Sequence, residues 1–252
     1  MSVKRISPGK KRKLVFITGG TGSLGAELVR VFSARGYRVV FQYSSDRQAA
    51  RRLSKKYNAQ PIQIDFAGGL NLPDIAFDIV VNNAGVNVTS ALCHEVNDED
   101  WEKTLRVNLY APFCIARRYL PGMMRKKWGR IINISSIYGL RGSENNLPYN
   151  VSKHGLSGFT KTIAKEYASC GITSNEVCPS AVKSRMMNRI AAEEAIASGT
   201  TARSYLRSVC NSIPAKRMAL PEEIATLAVF LASEEASFIN GASIPCDGGL
   251  IA

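Results

Sequence analysis

An eight-residue run, Thr18-Gly19-Gly20-Thr21-Gly22-Ser23-Leu24-Gly25, constrains this chain more than any other feature. It follows the wholly apolar stretch Leu14–Ile17 and leads into Leu24, Leu28, Val31 and Phe32, which recur at helical spacing. A strand without polar alternation is one buried on both faces, as in a parallel sheet. A glycine-rich turn from such a strand into a helix gathers backbone N–H groups and the positive end of the helix dipole at one point. That is where a dinucleotide pyrophosphate binds. Glycines alone would fit any tight turn; their place between a buried strand and an amphipathic helix favours the phosphate cradle.

The alternation continues. Strands are predicted at residues 39–43, 62–64, 79–81, 131–134 and 172–177, and Ser243–Cys246 closes the series. Helices are predicted after the cap Asp46, over 101–120 behind Asn97, over 149–168, and from Pro221-Glu222-Glu223 through Leu231. Seven strands alternating with helices imply an α/β fold: one Rossmann-type domain on a doubly wound parallel sheet of about seven strands. It spans residues 14–252, behind a basic tail at 1–13.

Of the net charge of +13, six units fall in residues 1–13. A basic surface can bind nucleic acid or anionic lipid, but no aromatic-and-basic motif accompanies this one, and a solvated tail is the plainer expectation. The longest apolar runs fall short of a membrane span. Six scattered cysteines without a C-x-x-C pair suit reduced thiols, and two histidines at unrelated positions offer no metal cluster. His94 and His154 are bystanders.

Tyr149 and Lys153 stand four apart at the start of a helix and so project from one face. A tyrosine so placed can exchange a proton with a substrate oxygen, but at a reference pKa of ~10 it is a sluggish donor or acceptor at neutral pH. A lysine ammonium one turn away lowers that value. Ser136, at the end of the fifth strand, can hydrogen-bond a substrate oxygen; Ser135 is its alternative. Asn108 interrupts the apolar face of the 101–120 helix, where a buried, backbone-satisfied amide is the default expectation.

These residues, in this order, resemble the short-chain dehydrogenase/reductase family. Its single-domain members carry T-G-x-x-x-G-x-G; this chain matches Thr18, Gly19 and Gly25 but has Ser23 at the middle glycine. Gly19, Gly22 and Gly25 fit the T-G-x-x-G-x-x-G spacing of longer members, whose extra C-terminal domain has no room here. Asn82-Asn83-Ala84-Gly85 is similar to the family's N-N-A-G motif. The resemblance implies that Asn83, Ala84 and Gly85 lie along the cofactor, with Asp65 and Phe66 near its adenine. Pro179-Ser180 stands for Pro-Gly, and Val182 would meet the nicotinamide amide. The thirteen residues from Ser136 to Tyr149 match the family, and Asn108 becomes the group that holds a relay water for Lys153. The catalytic set implied is Asn108, Ser136, Tyr149 and Lys153, with Tyr149 and Lys153 also touching the cofactor bound by residues 19–25.

An enzyme of this fold that uses NAD ends its second strand with an acid for the ribose. Here Tyr43 takes that place, and Ser44, Ser45 and Arg47 can receive the 2′-phosphate of NADP(H). NAD(H) stays admissible, because Gly22 stands where many NADP-using relatives have arginine and Asp46 could fold back. Within the family the chain resembles 3-oxoacyl-[acyl-carrier-protein] reductases. The implied activity is hydride transfer between nicotinamide and a carbonyl or secondary alcohol, including a carrier-linked oxoacyl thioester. Another ketone (quinone, steroid, sugar or polyketide) and a cofactor-binding regulator are the alternatives. Residues 66–77 are too short for the usual helix. Lys127 keeps one docking cation, whereas Cys170 replaces another. A longer segment, 182–212, carries Met186, Met187, Ile190, Ala191, Ala192 and Ile196 and is expected to close over the substrate as a lid. A homotetramer, with a dimer as the fallback, built on the 101–120 and 149–168 helices and the last strand, is also implied, and the reduced thiols suit a cytoplasmic chain.

Overall fold

The structure, a computed structural model, describes residues 12–252. Seven strands form one parallel sheet in the order β3-β2-β1-β4-β5-β6-β7. They are β1 (Leu14–Ile17), β2 (Arg38–Tyr43), β3 (Gln60–Gln63), β4 (Ile79–Asn82), β5 (Gly129–Ile134), β6 (Ile172–Pro179) and β7 (Ser243–Cys246). The chain starts at the centre, winds outward to β3, then returns to place β4 beside β1, with Val15 opposite Ile79 and Ile17 opposite Val81. Connections leave β1 and β4 in opposite directions, which opens a crevice at their carboxyl ends.

Helices α1 (Ser23–Ala34) and α8 (Pro221–Leu231) cover one face; α4 (Ala111–Lys126) and α5 (Leu147–Tyr167) cover the other. Strand alternation sorts the core accordingly. Val15, Ile17, Phe41 and Tyr43 pack with Leu28, Phe32 and Ile224, while Phe16, Val80 and Ile131 pack with Ile115, Tyr119 and Ile163. Helix α2 (Arg47–Tyr57) starts at Asp46, whose Oδ1 accepts from the Ala49 N–H at 2.9 Å, as its cap position predicts.

Several boundaries differ from expectation. β3 lies at the sheet edge and is half solvated, so its apolar residues alone misplaced it by about two positions. The long helix expected over 101–120 is two helices, α3 (Asp98–Leu105) and α4, joined by a π-turn at Arg106–Tyr110. Pro112 has no N–H to donate back to the Asn108 carbonyl, so a regular helix cannot run through. α5 starts two residues before Tyr149, with proline at its favoured first turn, and passes into a 3-10 turn after Tyr167. Residues 66–77 contain no helix, as expected.

The segment after β6 folds as α6 (Arg185–Ser198) and α7 (Ala202–Ser212), separated at Gly199 with φ +64. Its two ends clasp each other: Lys183 N–H donates to the Ala219 carbonyl and Ala219 N–H to the Ala181 carbonyl, both at 2.9 Å. Lys13 already belongs to the domain. Its carbonyl accepts from Arg38 N–H at 3.0 Å, and its ammonium lies 3.5 Å from the Trp128 ring centroid. The tail therefore ends earlier than residue 13, and its cations Lys4, Arg5, Lys10 and Lys11 lie outside the described residues. Among the described residues no helix is long and apolar enough to cross a membrane, no cluster could hold a metal ion, and all six cysteines are free.

Candidate functional site

A cavity of about 1000 Å³ opens at the carboxyl ends of the central strands, beneath α6 and α7. The glycine turn forms one wall. Gly19 takes φ +66, and its N–H donates to Gln42 Oε1 at 2.7 Å. Gln42 Nε2 donates in turn to the Ile64 carbonyl at 2.5 Å, so one buried glutamine ties the turn to β2 and to the exit of β3. Thr18 Oγ1 accepts from the N–H groups of Asn83 and Ala84 at 2.9 and 2.8 Å, locking the turn onto the segment after β4. A Cβ on Gly25 would overlap the Gly19 carbonyl oxygen, so this position is closed to any other residue. α1 begins with neither a side-chain cap nor an acid in its first turn, which leaves the positive end of its dipole to an anion.

The opposite wall carries the candidate chemistry. Tyr149 borders the cavity on the first turns of α5, and burial of its phenol pushes the pKa up to about 12, with the Ser136 hydroxyl beside it acting the other way. Lys153 is buried. Its Nζ donates to the Ile134 carbonyl at 2.9 Å and lies 5.4 Å from the Tyr149 ring centroid. Burial pulls its pKa down to about 8, against the raising influence of Glu176 and Cys178. The lowering expected from the ammonium is thus not seen: desolvation raises the phenol, and it is the Ser136 hydroxyl that acts against it.

Ser136 Oγ accepts from the Tyr138 N–H at 3.2 Å, while Ser135 lies against Gly139 and Cys178. Asn108 sits in the π-turn behind the cavity wall. Its Oδ1 accepts from Val86 N–H at 2.8 Å, and its Nδ2 donates to the Val86 carbonyl at 2.8 Å and to Ser152 Oγ at 3.0 Å. Ser152 Oγ donates on to the Tyr149 carbonyl at 2.7 Å. The π-turn, the loop after β4 and the start of α5 are therefore one hydrogen-bonded unit.

Of the other residues predicted to meet a dinucleotide, Gly19, Thr21, Gly22, Ser23, Leu24, Gly25, Ser44, Asp65, Phe66, Asn83, Ala84, Gly85, Pro179 and Val182 all border this cavity. Four do not. Tyr43 shares a strand face with Val39 and Phe41, and that face is turned into the core, so its ring cannot stand in for the ribose-binding acid. Gly20 packs its backbone on Phe41, where a Cβ would come within 2.5 Å. Ser45 is exposed beyond the strand, and the Arg47 guanidinium donates to Gln63 Oε1 at 3.3 Å.

Two contributors escaped the sequence argument. Gln42 is a lone polar residue near the end of an apolar strand, a signal that could have found it. Glu176 is wholly buried on β6, and neither carboxylate oxygen has a hydrogen-bond partner; a charged residue in a central strand was the cue. His94 lies in an exposed 3-10 turn, and the exposed His154 has its Nδ1 3.0 Å from the Asn150 carbonyl of its own helix.

Residues 19–251 match the family model described as enoyl-(acyl carrier protein) reductase. The chain is 32% identical over 262 residues to D-beta-hydroxybutyrate dehydrogenase of Cupriavidus necator, covering 95% of this chain and 98% of that one. It is 32% identical over 245 residues to 3-oxoacyl-[acyl-carrier-protein] reductase of Rickettsia felis, covering 95% and 97%. A solved actinorhodin polyketide ketoreductase with NADPH superposes with a TM-score of 0.88 at 26% identity, covering 95% of this chain and 97% of that one. Sheet order, cradle and these likenesses agree: the chain belongs to the short-chain dehydrogenase/reductase family of oxidoreductases.

Proposed function

We propose that this protein is an NADP(H)-dependent reductase of 3-oxoacyl thioesters or closely similar ketones, with Tyr149, Ser136, Lys153 and Asn108 as its working group. The observation that carries this is the shared cavity: Tyr149 and Lys153 stand across from an uncapped helix N-terminus and a turn that excludes side chains at Gly25. The residues suit the phosphorylated dinucleotide. Asp46, the acid nearest the end of β2, is committed to capping α2 and lies 3.6 Å from Arg185, so it is not free for a ribose. The NADPH held by the polyketide ketoreductase supports the same choice. When bound, the nicotinamide supplies or accepts the hydride.

Within the protein, the Ser136 hydroxyl would hold the substrate oxygen and the Tyr149 phenol would give it a proton. A phenol kept protonated by burial is in the right state to donate. Lys153 would restore that proton and orient the nicotinamide ribose. Asn108 would place the water that links Lys153 to solvent. The relatives' names favour an oxoacyl thioester, and the cavity's Met186, Met187 and Ile190 suit an acyl chain. Exposed Tyr110, Phe113 and Val151 on the π-turn, α4 and α5 support assembly through those helices; a homotetramer rests on the family resemblance alone, and a cytoplasmic location on the expectation of reduced thiols.

The test is NADPH consumption by the pure protein over 3-oxoacyl thioesters on coenzyme A and on acyl-carrier protein, quinones, ketosteroids and sugar ketones. The highest kcat/KM is expected with a 3-oxoacyl thioester. Turnover confined to a quinone, steroid or sugar would replace that substrate class. No turnover of any class would favour a cofactor-binding regulator.

A further inference from the structure

We propose that Arg185, the first residue of α6, is the cationic partner of the cofactor's 2′-phosphate, so that cofactor choice is made by the roof of the cavity instead of the glycine turn. This rests on the NADP(H) reading above.

The glycine turn has no cation of its own, and the Arg47 guanidinium is turned toward Gln63 on β3. Arg185 reaches the same corner from a distant part of the chain. Its backbone N–H donates to Ser23 Oγ at 3.0 Å, and its Nη2 donates to the Thr21 carbonyl. Its Nη1 lies 3.6 Å from Asp46 Oδ2. One guanidinium therefore spans the glycine turn and the end of β2, the two elements between which this fold seats the adenosine ribose.

The chemistry fits a phosphate. A guanidinium offers five donors in a planar fork; the Thr21 carbonyl accepts from Nη2, and Asp46 stands 3.6 Å from Nη1. The side chain is 68% exposed, so it can turn toward a dianion without leaving a desolvated site. Ser44, bordering the cavity at the end of β2, adds a hydroxyl to the same corner. Ser23, at the position where single-domain relatives have glycine, anchors the Arg185 backbone. Asp46 holds the cation in place until a phosphate competes for it. An exposed ion pair contributes little stability, so a latch holding the roof shut is the weaker account.

The experiment is equilibrium titration of the purified protein with NADPH, NADH, 2′,5′-ADP and ADP, following fluorescence and heat. Arg185→Ala is expected to weaken NADPH and 2′,5′-ADP by about tenfold or more, since it removes a charge-assisted hydrogen bond to the phosphate. NADH and ADP should stay within about twofold. Arg185→Lys should recover part of the affinity, keeping charge without the fork. Asp46→Asn keeps the cap of α2, removes the competing carboxylate and should tighten NADPH selectively. Wild-type preference for NADH would overturn the cofactor reading itself. Wild-type preference for NADPH that persists in Arg185→Ala, or equal weakening of all four ligands, would overturn the assignment of Arg185 alone. Thermal melting of each variant separates these outcomes from unfolding, which at so exposed a side chain is not expected.

Discussion

The floor of the cavity and its roof are held by different means. Floor groups are buried and tied by hydrogen bonds inside the protein: Thr18 to two N–H groups, Asn108 to Val86 and Ser152, Lys153 to the Ile134 carbonyl. The roof buries only Ala191 and Ala195 of α6 and nothing of α7. Its links to the floor are long polar side chains at the surface, such as Arg189 Nη2 to the Asn87 carbonyl at 2.6 Å and Ser90 Oγ to Glu194 Oε1 at 3.0 Å. Few buried side chains and exposed polar ties mark an element of low local stability, suited to opening. On the proposed reading, a firmly tied working group under a loosely held cover would separate the reaction performed from the substrate admitted.

The sharpest way to break this comparison is at the floor. Tyr149→Phe keeps the ring's packing against Tyr138 and removes only the hydroxyl. It should lower kcat by about 10²-fold or more for every substrate, with NADPH affinity retained. Near-normal turnover in a stopped-flow assay would remove the phenol from the mechanism.

A smaller effect should appear with pH. The Lys153 ammonium, with its pKa pulled down to about 8, carries its charge below that value and loses it above. Reduction should therefore fall as pH rises through about 8, by up to tenfold per unit, while tyrosine remains protonated up to about 12. A kcat profile flat to pH 10 would detach Lys153 from the proton path.

The smallest effect belongs to the roof. Met187→Ala with Ile190→Ala should raise KM for long-chain ketones by about fourfold for each methylene of the substrate left unburied, at ~0.8 kcal/mol apiece, with kcat nearly constant. Equal rises for short and long substrates would show that the roof does not select.

Much of the floor was legible because its signals are local. A buried strand, glycines with no room for a Cβ, and a tyrosine and lysine one turn apart can each be read within a few residues. Tyr43 was misassigned for want of parity: with Val39 and Phe41 facing the core, Tyr43 must follow them, and Gln42 and Ser44 face elsewhere. The division of the 101–120 helix was visible only in Pro112, whose missing N–H frees the turn that carries Asn108. For the roof, the apolar stripe was half right. Met186, Met187 and Ile190 border the cavity, but Ile196 is 84% exposed. Arg185 carried no local signal, because its partners lie more than 130 residues away in the chain.

The clasp between Ala181–Lys183 and Ala219 has a consequence for how such a chain can diversify. The excursion leaves and returns through one pair of backbone hydrogen bonds, so its ends are fixed whatever lies between them. For a flexible segment whose ends are already joined, doubling its length costs only about 0.6 kcal/mol of closure entropy. Residues can be inserted or removed beyond the clasp with little penalty to the sheet. The cover beyond Arg185 is in effect an exchangeable cassette, and grafting one from a relative with another substrate would be a route to new selectivity that leaves the proposed cofactor contact and working group in place.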